Sequence, residues 1–317
     1  MPLNSTAVAL TSCSGYEQHQ LAQALARALE ATTLPANLCS AQVLLKPNLI
    51  SAKHGPLACT EGAFILAVAR WFLDQGAKVS IGDSPAFGTA AAVLHRLGLV
   101  DELAALGVAI INFTRGRATK LSGGGRAVLA EAALDCDLLV NLPRVKVHAQ
   151  ARLTLAVKNY FGCLVGLHKG WWHMAYGDKA DQGSNQFFDR LLRIPQALPD
   201  SVTLMDGIVA MHRTGPVNGE PYPLSLLAAS TNPVAMDTAL HAILRADPEQ
   251  SPLMAACRRA GMSGAHLAQL SFPLAAPEEF QAAGFLVPEQ LNPVRFRVVR
   301  FLKSSIRRIV LHRQAGR

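Results

Sequence analysis

The chain has 317 residues, half of them hydrophobic and 16% charged, with a formal net charge of +8. Eight of the 30 basic residues follow position 291, where no acidic residue occurs, and the other 22 equal the acidic residues in number. A body so balanced argues against nucleic-acid binding, which spreads basic residues over a binding face, and no apolar run reaches the length of a transmembrane helix.

Six cysteines stand at 13, 39, 59, 136, 163 and 257, so no C-x-x-C ligand pair exists. Free, mostly buried thiols in a reducing compartment are expected. The start, MPLNSTAVALTSC, lacks the basic segment and long apolar run of a secretory leader, which predicts a cytoplasmic chain.

In chain order, Ala7 to Leu10 reads as a strand. Tyr16 to Glu30 reads as a helix with Leu21, Leu25 and Leu29 on one face. Val43 to Lys46 is a strand stopped by Pro47. Thr60 is the expected cap of a helix that runs to about Gln75 and ends at Gly76. Strand Lys78–Gly82, helix Thr89–Leu97, strand Val108–Ile111 and a turn at Gly123–Gly125 follow. The apolar run at Leu138–Asn141 predicts a strand, and Ala151 to Phe161 predicts a helix. Strands are expected at Val202–Met205 and Leu224–Ala229, then a helix opened by Asn232-Pro233 and running through Leu244. Residues 248–293 read as short helices and turns.

Strands and helices alternate, and several strands are continuous apolar runs. Together these predict an α/β fold, a mostly parallel sheet with helices on both faces, plus a helical carboxy-terminal region. Residues 1–291 are expected to form one α/β domain and residues 292–317 a basic amphipathic tail.

Four strand candidates run directly into polar or turn-forming residues: Lys46-Pro47-Asn48, Gly82-Asp83-Ser84, Asn141-Leu142-Pro143 and Asp206-Gly207. Ligands of parallel sheets bind outside the carboxyl ends of the strands. Lys46, Asn48, Asp83, Asn141 and Asp206 are therefore expected to face one crevice. For any single position, ordinary turn chemistry explains the residue equally well.

The stretch from Asn141 to Asp178 gathers Lys146, His148, Lys158, His168, Lys169 and His173. Lys146 and His148, two apart on extended chain, share a side. Lys158 lies among Leu153, Ala156 and Val157. Burial there would lower its pKa and suit it to hold an anion, form a Schiff base or move a proton, although a lysine can also reach out to solvent along its own stem. His148 and His173 are the expected acid–base groups, as imidazole titrates near neutrality. His148, His168 and His173 are the candidate ligands if a divalent metal is bound, though their spacing matches no standard signature. Trp171 and Trp172 could form a lid or platform, or simply anchor their loop. Asn232 reads as a helix cap and Asp237 as a buried, paired carboxylate. No dinucleotide glycine fingerprint, P-loop or nucleophile elbow occurs.

In the tail, Val299, Leu302, Ile306, Ile309 and Val310 make one helical stripe, with Arg297, Arg300, Lys303, Arg307 and Arg308 largely elsewhere. That pattern fits a helix on an anionic membrane surface, and equally a terminal helix docked on its own domain.

The motifs LLKPNLI (44–50), IGDSP (81–85), DLLVNLPRVKVH (137–148), LTLAVKNYFG (153–162), HKGWWH (168–173), LMDGIVAMHRTGP (204–216) and ASTNPVAMDTAL (229–240) resemble the domain-of-unknown-function 362 family. Many members carry a ferredoxin-like cysteine segment. This chain lacks it, so no iron–sulfur cluster is expected. More distantly, the lysine and histidine pattern is similar to the amino-terminal domain of nickel-pincer lactate racemases, which implies a metal-dependent, racemase-like alternative.

The expected function is an anion-binding crevice with acid–base or redox-type chemistry. Lys158, His148 and His173 are the catalytic candidates. Lys46, Asn48, Asp83, Asn141, Lys146, Asn159, Lys169 and Asp206 are the substrate- or cofactor-binding candidates. The expected partner is an anionic small molecule, with an anionic membrane surface as a second partner through residues 292–317, and no nucleic acid. Non-catalytic anion binding and a membrane-surface accessory role are the alternatives.

Overall fold

A computed structural model describes residues 5–165, 168–176, 180–181, 184–280 and 282–291. The chain opens with β1 (Ala9–Ser12), α1 (Gln18–Glu30), β2 (Gln42–Pro47), α2 (Gly62–Asp74), β3 (Lys78–Asp83), α3 (Ala90–Arg96), α4 (Val100–Ala105) and β4 (Ala109–Asn112). A hairpin of β5 (Gly116–Lys120) and β6 (Arg126–Ala130) leads through α5 (Glu131–Leu134) to β7 (Leu138–Leu142), β8 (Arg144–His148), β9 (Arg152–Thr154) and α6 (Ala156–Asn159). Then come α7 (His168–Tyr176), β10 (Ala180–Asp181), β11 (Ser184–Asn185), α8 (Gln186–Leu191), β12 (Ser201–His212), β13 (Glu220–Ser230), α9 (Pro233–Ile243) and α10 (Pro252–Arg259).

The main sheet runs β1-β13-β12-β7-β2-β3-β4, with β8 paired to β12 and β9 to β8. The ladders joining β12, β7, β2, β3 and β4 are parallel; those at β13 and β9 are antiparallel. Alternation along the central strands assigns the two faces. Val43, Leu45, Val140 and Leu142 point into a core with α1, α2 and α3, whereas Leu44 and Leu139 point into a second core with Trp172, Phe187, Phe188 and Met254. A third cluster buries α9 residues Met236 and Leu240 against Val145 and Leu226. The sheet is thus covered on both faces, as the continuous apolar runs predict.

Several boundaries differ from the sequence expectation, each for a local reason. The helix expected over 151–161 starts at Ala156, because Arg152–Thr154 instead pairs with β8. Thr60 is not the cap of α2. Its buried hydroxyl donates to Leu142 O at 2.6 Å, and the cap is Glu61, whose carboxylate accepts from Gly62 N. Asp206 does not end a strand: β12 continues to His212 through a bulge between Gly207 and Val209. In the β5–β6 hairpin, with Gly123–Gly125 as its turn, β5 is polar and exposed, whereas β6 buries Ala127, Leu129 and Ala130 in the second core. The tail expected at 292–317 lies outside the described residues.

Pro143 explains the long β12. It breaks one line of chain into β7 and β8, and β12 pairs with both pieces: Ser201–Thr203 with β7, then Asp206 and Met211 with Arg144 and Lys146 of β8. Asp206 N donates to Pro143 O across the break at 2.9 Å. Farther along, Arg152 ties β9 to the carboxy-terminal region by donating to Gln250 O, Pro288 O and Glu289 O.

One buried ionic network locks β8, β12 and two helices together. Arg144 donates to Val209 O at 2.8 Å, Cys59 O at 3.0 Å and Glu61 Oε2 at 3.3 Å. Tyr16 OH donates to Asp206 Oδ1 at 2.7 Å, and Glu61 N donates to Oδ2 at 3.0 Å. Burial pushes the Asp206 carboxyl up, against the pull of Arg144 and the two donors. Replacing Arg144 with Met would leave that carboxylate buried beside no cation. The variant is expected to lose about 3–5 kcal/mol in urea unfolding, while Tyr16→Phe, which removes a hydrogen bond to the buried carboxylate, loses about 1.5–3 kcal/mol.

Candidate functional site

The carboxyl ends of β2, β3 and β7 bring Lys46, Asn48, Asp83 and Asn141 together, as expected of a parallel sheet. Lys46 and Asp83, from adjacent strands, form a buried ion pair with Nζ 3.0 Å from Oδ1. Asp83 Oδ2 also accepts from Leu49 N at 3.1 Å. The short helical turn after α6 presses on this pair. A Cβ on Gly162 would run into both Lys46 Nζ and Asp83 Oδ1. Lys46 and Asp83 therefore neutralise each other and hold the floor of the site.

Above them lies a chain of amides. Asn159 Nδ2 donates to Asn141 Oδ1 at 2.8 Å, and Asn48 Nδ2 donates to Asn159 Oδ1 at 3.1 Å. Asn48 Oδ1 in turn accepts from Lys146 Nζ, which also donates to Ala58 O at 2.5 Å. Lys146 is fully buried, its hydrogen bonds go to carbonyl oxygens, and the Asp83 carboxylate is only a weak, more distant counter-charge. Burial pulls its pKa down to about 7.

Lys158 and Asn159 share the single turn of α6. The start of that turn is held by Asp237 of α9, whose two carboxylate oxygens accept from Ala156 N at 2.7 Å and Val157 N at 3.2 Å. Burial pushes this carboxyl up to about 8, against those two donors. Lys158 is partly exposed; among the described residues no hydrogen bond or ion pair engages its Nζ, and desolvation lowers its pKa to about 8. The charge of Lys158 is felt by Lys146, His148 and His173, so the four lie near one another.

The histidines behave differently from the sequence expectation. Burial, reinforced by the neighbouring lysines, holds His148 well below the ordinary imidazole range and His173 at about 4. Neither titrates near neutrality. Burial brings Lys146 to about 7 and Lys158 to about 8 instead. His148 Nδ1 accepts from Gln150 N at 3.0 Å, so the neutral ring carries its proton on Nε2. His173 stacks on Phe187 at 4.7 Å and meets the edge of Phe161 at 5.4 Å. Lys169, one turn earlier on α7, donates to Ser84 O and sits 5.8 Å from the Phe161 ring centre.

Two sequence candidates fall outside this cluster. Asp206 is spent on Tyr16, Arg144 and Glu61. His168 is exposed at the start of α7. Among the described residues no three His, Cys, Asp or Glu side chains are arranged to hold a metal ion, so His148, His168 and His173 are not brought together as a ligand set. Of the two tryptophans, Trp172 is the anchor at 1% exposure and Trp171 stands out at 48%. Three residues that shape the site were not among the candidates: Asp237, Gly162 and Arg144. An aspartate inside the apolar helix PVAMDTALHAI was the available signal for the first. Glycine in YFGC gave none without the packing around it.

Residues 43–242 match the family described as Domain of unknown function (DUF362). A thylakoid-associated protein of Synechocystis is 37% identical over 304 residues, covering 95% of this chain and 93% of the relative. Among solved structures, the lactate racemase apoprotein of Thermoanaerobacterium thermosaccharolyticum aligns with a TM-score of 0.43 at 14% identity, over 62% of this chain and 50% of that one. A Thermotoga maritima protein aligns with a TM-score of 0.43 at 12% identity, over 67% and 56%. The chain thus spans about half the length of the solved chains it matches.

The Gly162 contact makes a direct test of the floor. Gly162→Ala is expected to lower stability by about 1–3 kcal/mol in chemical denaturation, since two buried charged side chains would have to move. Gly15→Ala, where nothing lies within 4 Å of the added carbon, is the control expected to change little.

Proposed function

We propose a function on one premise: the chain belongs to the domain-of-unknown-function 362 family, and its chemistry is read from its own side chains. The crevice binds an anionic small molecule or cofactor, with Lys158 as its charge anchor and Lys146, His148, His173 and Lys169 around it. The observation that carries this reading is the Lys158 amine, which stands among other basic groups with no carboxylate partner. A lysine so placed gains a counter-charge only from outside the protein.

The chemistry that follows is proton transfer. With a pKa near 8, Lys158 is divided between ammonium and amine close to neutral pH. The ammonium holds negative charge and, in contact with the bound ligand, is the acid that passes its proton to it. His148, with its proton on Nε2, supplies a neutral donor that stays neutral throughout the working range. The rigid floor of Lys46, Asp83 and the asparagines fixes these groups against the sheet.

A second reading, attachment at a membrane surface, draws support from the printed description of the Synechocystis relative as thylakoid-associated. No helix among the described residues is long and apolar enough to cross a membrane, so any attachment through them would be peripheral.

Native and denaturing mass spectra of freshly purified protein, with metal analysis of the same sample, would reveal any retained anion or cofactor. Titration with inorganic phosphate and malonate, followed by calorimetry, tests the anchor. Lys158→Met is expected to keep its unfolding temperature and lose at least about tenfold in affinity, the scale of one charge-assisted contact. Unchanged affinity would remove Lys158 from the role.

The pH dependence has a definite sign. The charged lysine binds the anion and the neutral one does not, so affinity is full below about 8 and falls as pH rises through it. The expected slope is about tenfold per pH unit above that point for one group. A profile flat through pH 8 would remove Lys158 from this role.

A further inference from the structure

We infer that the rim of this crevice docks on an anionic lipid surface, an inference that rests on the membrane-surface reading and names the surface responsible. The rim is built from three segments, 51–58, 84–88 and 168–176. Phe87 is 49% exposed, Trp171 48% and Met174 55%, half of the large exposed hydrophobic side chains among the described residues. The segments are joined: Ser51 bridges Phe87, Phe87 N donates to Ile50 O at 3.3 Å, and Lys169 donates to Ser84 O. Trp171 and Met174 are three apart on α7 and so lie on one side of that helix.

The charge on the rim has one sign. The three segments contain Lys53 and Lys169, three histidines of which His173 is neutral and turned inward, and no aspartate or glutamate. Lys53 and His168 are exposed. Aromatic and thioether tips beside basic groups, with no acidic residue, complement a bilayer whose headgroups are anionic. The tips enter the headgroup layer, and each lysine near the surface strengthens attachment by about fivefold. The tips project from a loop and a helix rather than lining one groove, which suits a headgroup layer better than the packed pocket of a protein interface. The same segments wall the crevice, through Asp83 just before Ser84 and His173 on α7. A docked rim would therefore bring the lysine cluster to the headgroup layer.

The test uses the full chain and vesicles of phosphatidylcholine with or without phosphatidylglycerol. Partition is expected to be at least about tenfold stronger onto the anionic vesicles and to weaken at high salt. The rim variant Phe87→Ser/Trp171→Ser/Met174→Ser is expected to lose about tenfold in partition, with phosphate affinity unchanged. In the unsubstituted protein, brominated acyl chains are expected to quench a component of the tryptophan emission that Trp171→Phe removes. The reading is overturned if the rim variant partitions like the parent while a full-length variant with Arg297, Arg300, Lys303, Arg307 and Arg308 changed to Gln does not bind. In that case the tail is the docking element. Equal partition onto neutral vesicles overturns it as well. No partition of the parent onto any vesicle overturns both the rim and the membrane-surface reading, and leaves the anion site to its own titration.

Discussion

Burying positive charge is the constraint on which this structure turns. Five basic side chains are drawn into the sheet ends, and they differ in what compensates them. Arg144 has Asp206 and Glu61, and Lys46 has Asp83. Lys146 has two carbonyl oxygens, His148 stays neutral and accepts one backbone N–H, and Lys158 has nothing among the described residues. The compensated cations are frame. Each would be expensive to break, because the surviving carboxylate would be left buried. The uncompensated ones are where a ligand can contribute. A lysine held near 8 rather than 10.5 has lost about 3 kcal/mol of preference for its charged form. An anion that restores the preference recovers that energy as affinity.

The frame also sets the geometry. Pro143 cannot donate to a ladder, so the chain breaks between β7 and β8 and both pieces align on β12. That break carries Arg144, Lys146 and His148 past the end of the parallel strands on an extended segment. Period two then puts all three on one side. Behind them, Asp237 grips the first two amides of α6 and fixes where Lys158 begins. A single helical turn cannot hold itself; its position comes from α9 and from the Asn159 contacts to Asn141 and Lys46 O.

Much of this was legible in the sequence because it rests on local pattern. Continuous apolar runs gave the central strands, and polar residues at their ends gave Lys46, Asn48, Asp83 and Asn141. The lysine and histidine density around residues 146–173 marked the site. What pattern could not supply was the partner. Asp83 and Asp206 look alike at the ends of apolar runs. One closes the floor of the site, and the other is enclosed by Tyr16 and Arg144, residues 190 and 62 positions away. The same limit applies to the histidines. His168 and His173 are five apart in one motif, yet one is exposed and the other is stacked on Phe187. Arg152–Thr154 was misread because three residues of strand followed by one turn of helix have the apolar density of a longer helix.

Neutral histidines beside poised lysines invert the usual assignment of roles. Imidazole is the customary titrating group near pH 7, but here burial and two neighbouring cations remove its charge. The titrating groups are the amines. An anion arriving at Lys158 favours the ammonium, so binding must draw in a proton whenever the free amine is partly neutral. Lys146, within reach of the same charge, would be pulled the same way. In the proposed anion site, binding and proton uptake would be one event, with the proton on the group that touches the ligand. This requires a cluster with lowered lysine pKa values and no nearby carboxylate to supply the charge instead. Placing a carboxylate beside Lys158 would fix the ammonium permanently and uncouple the two.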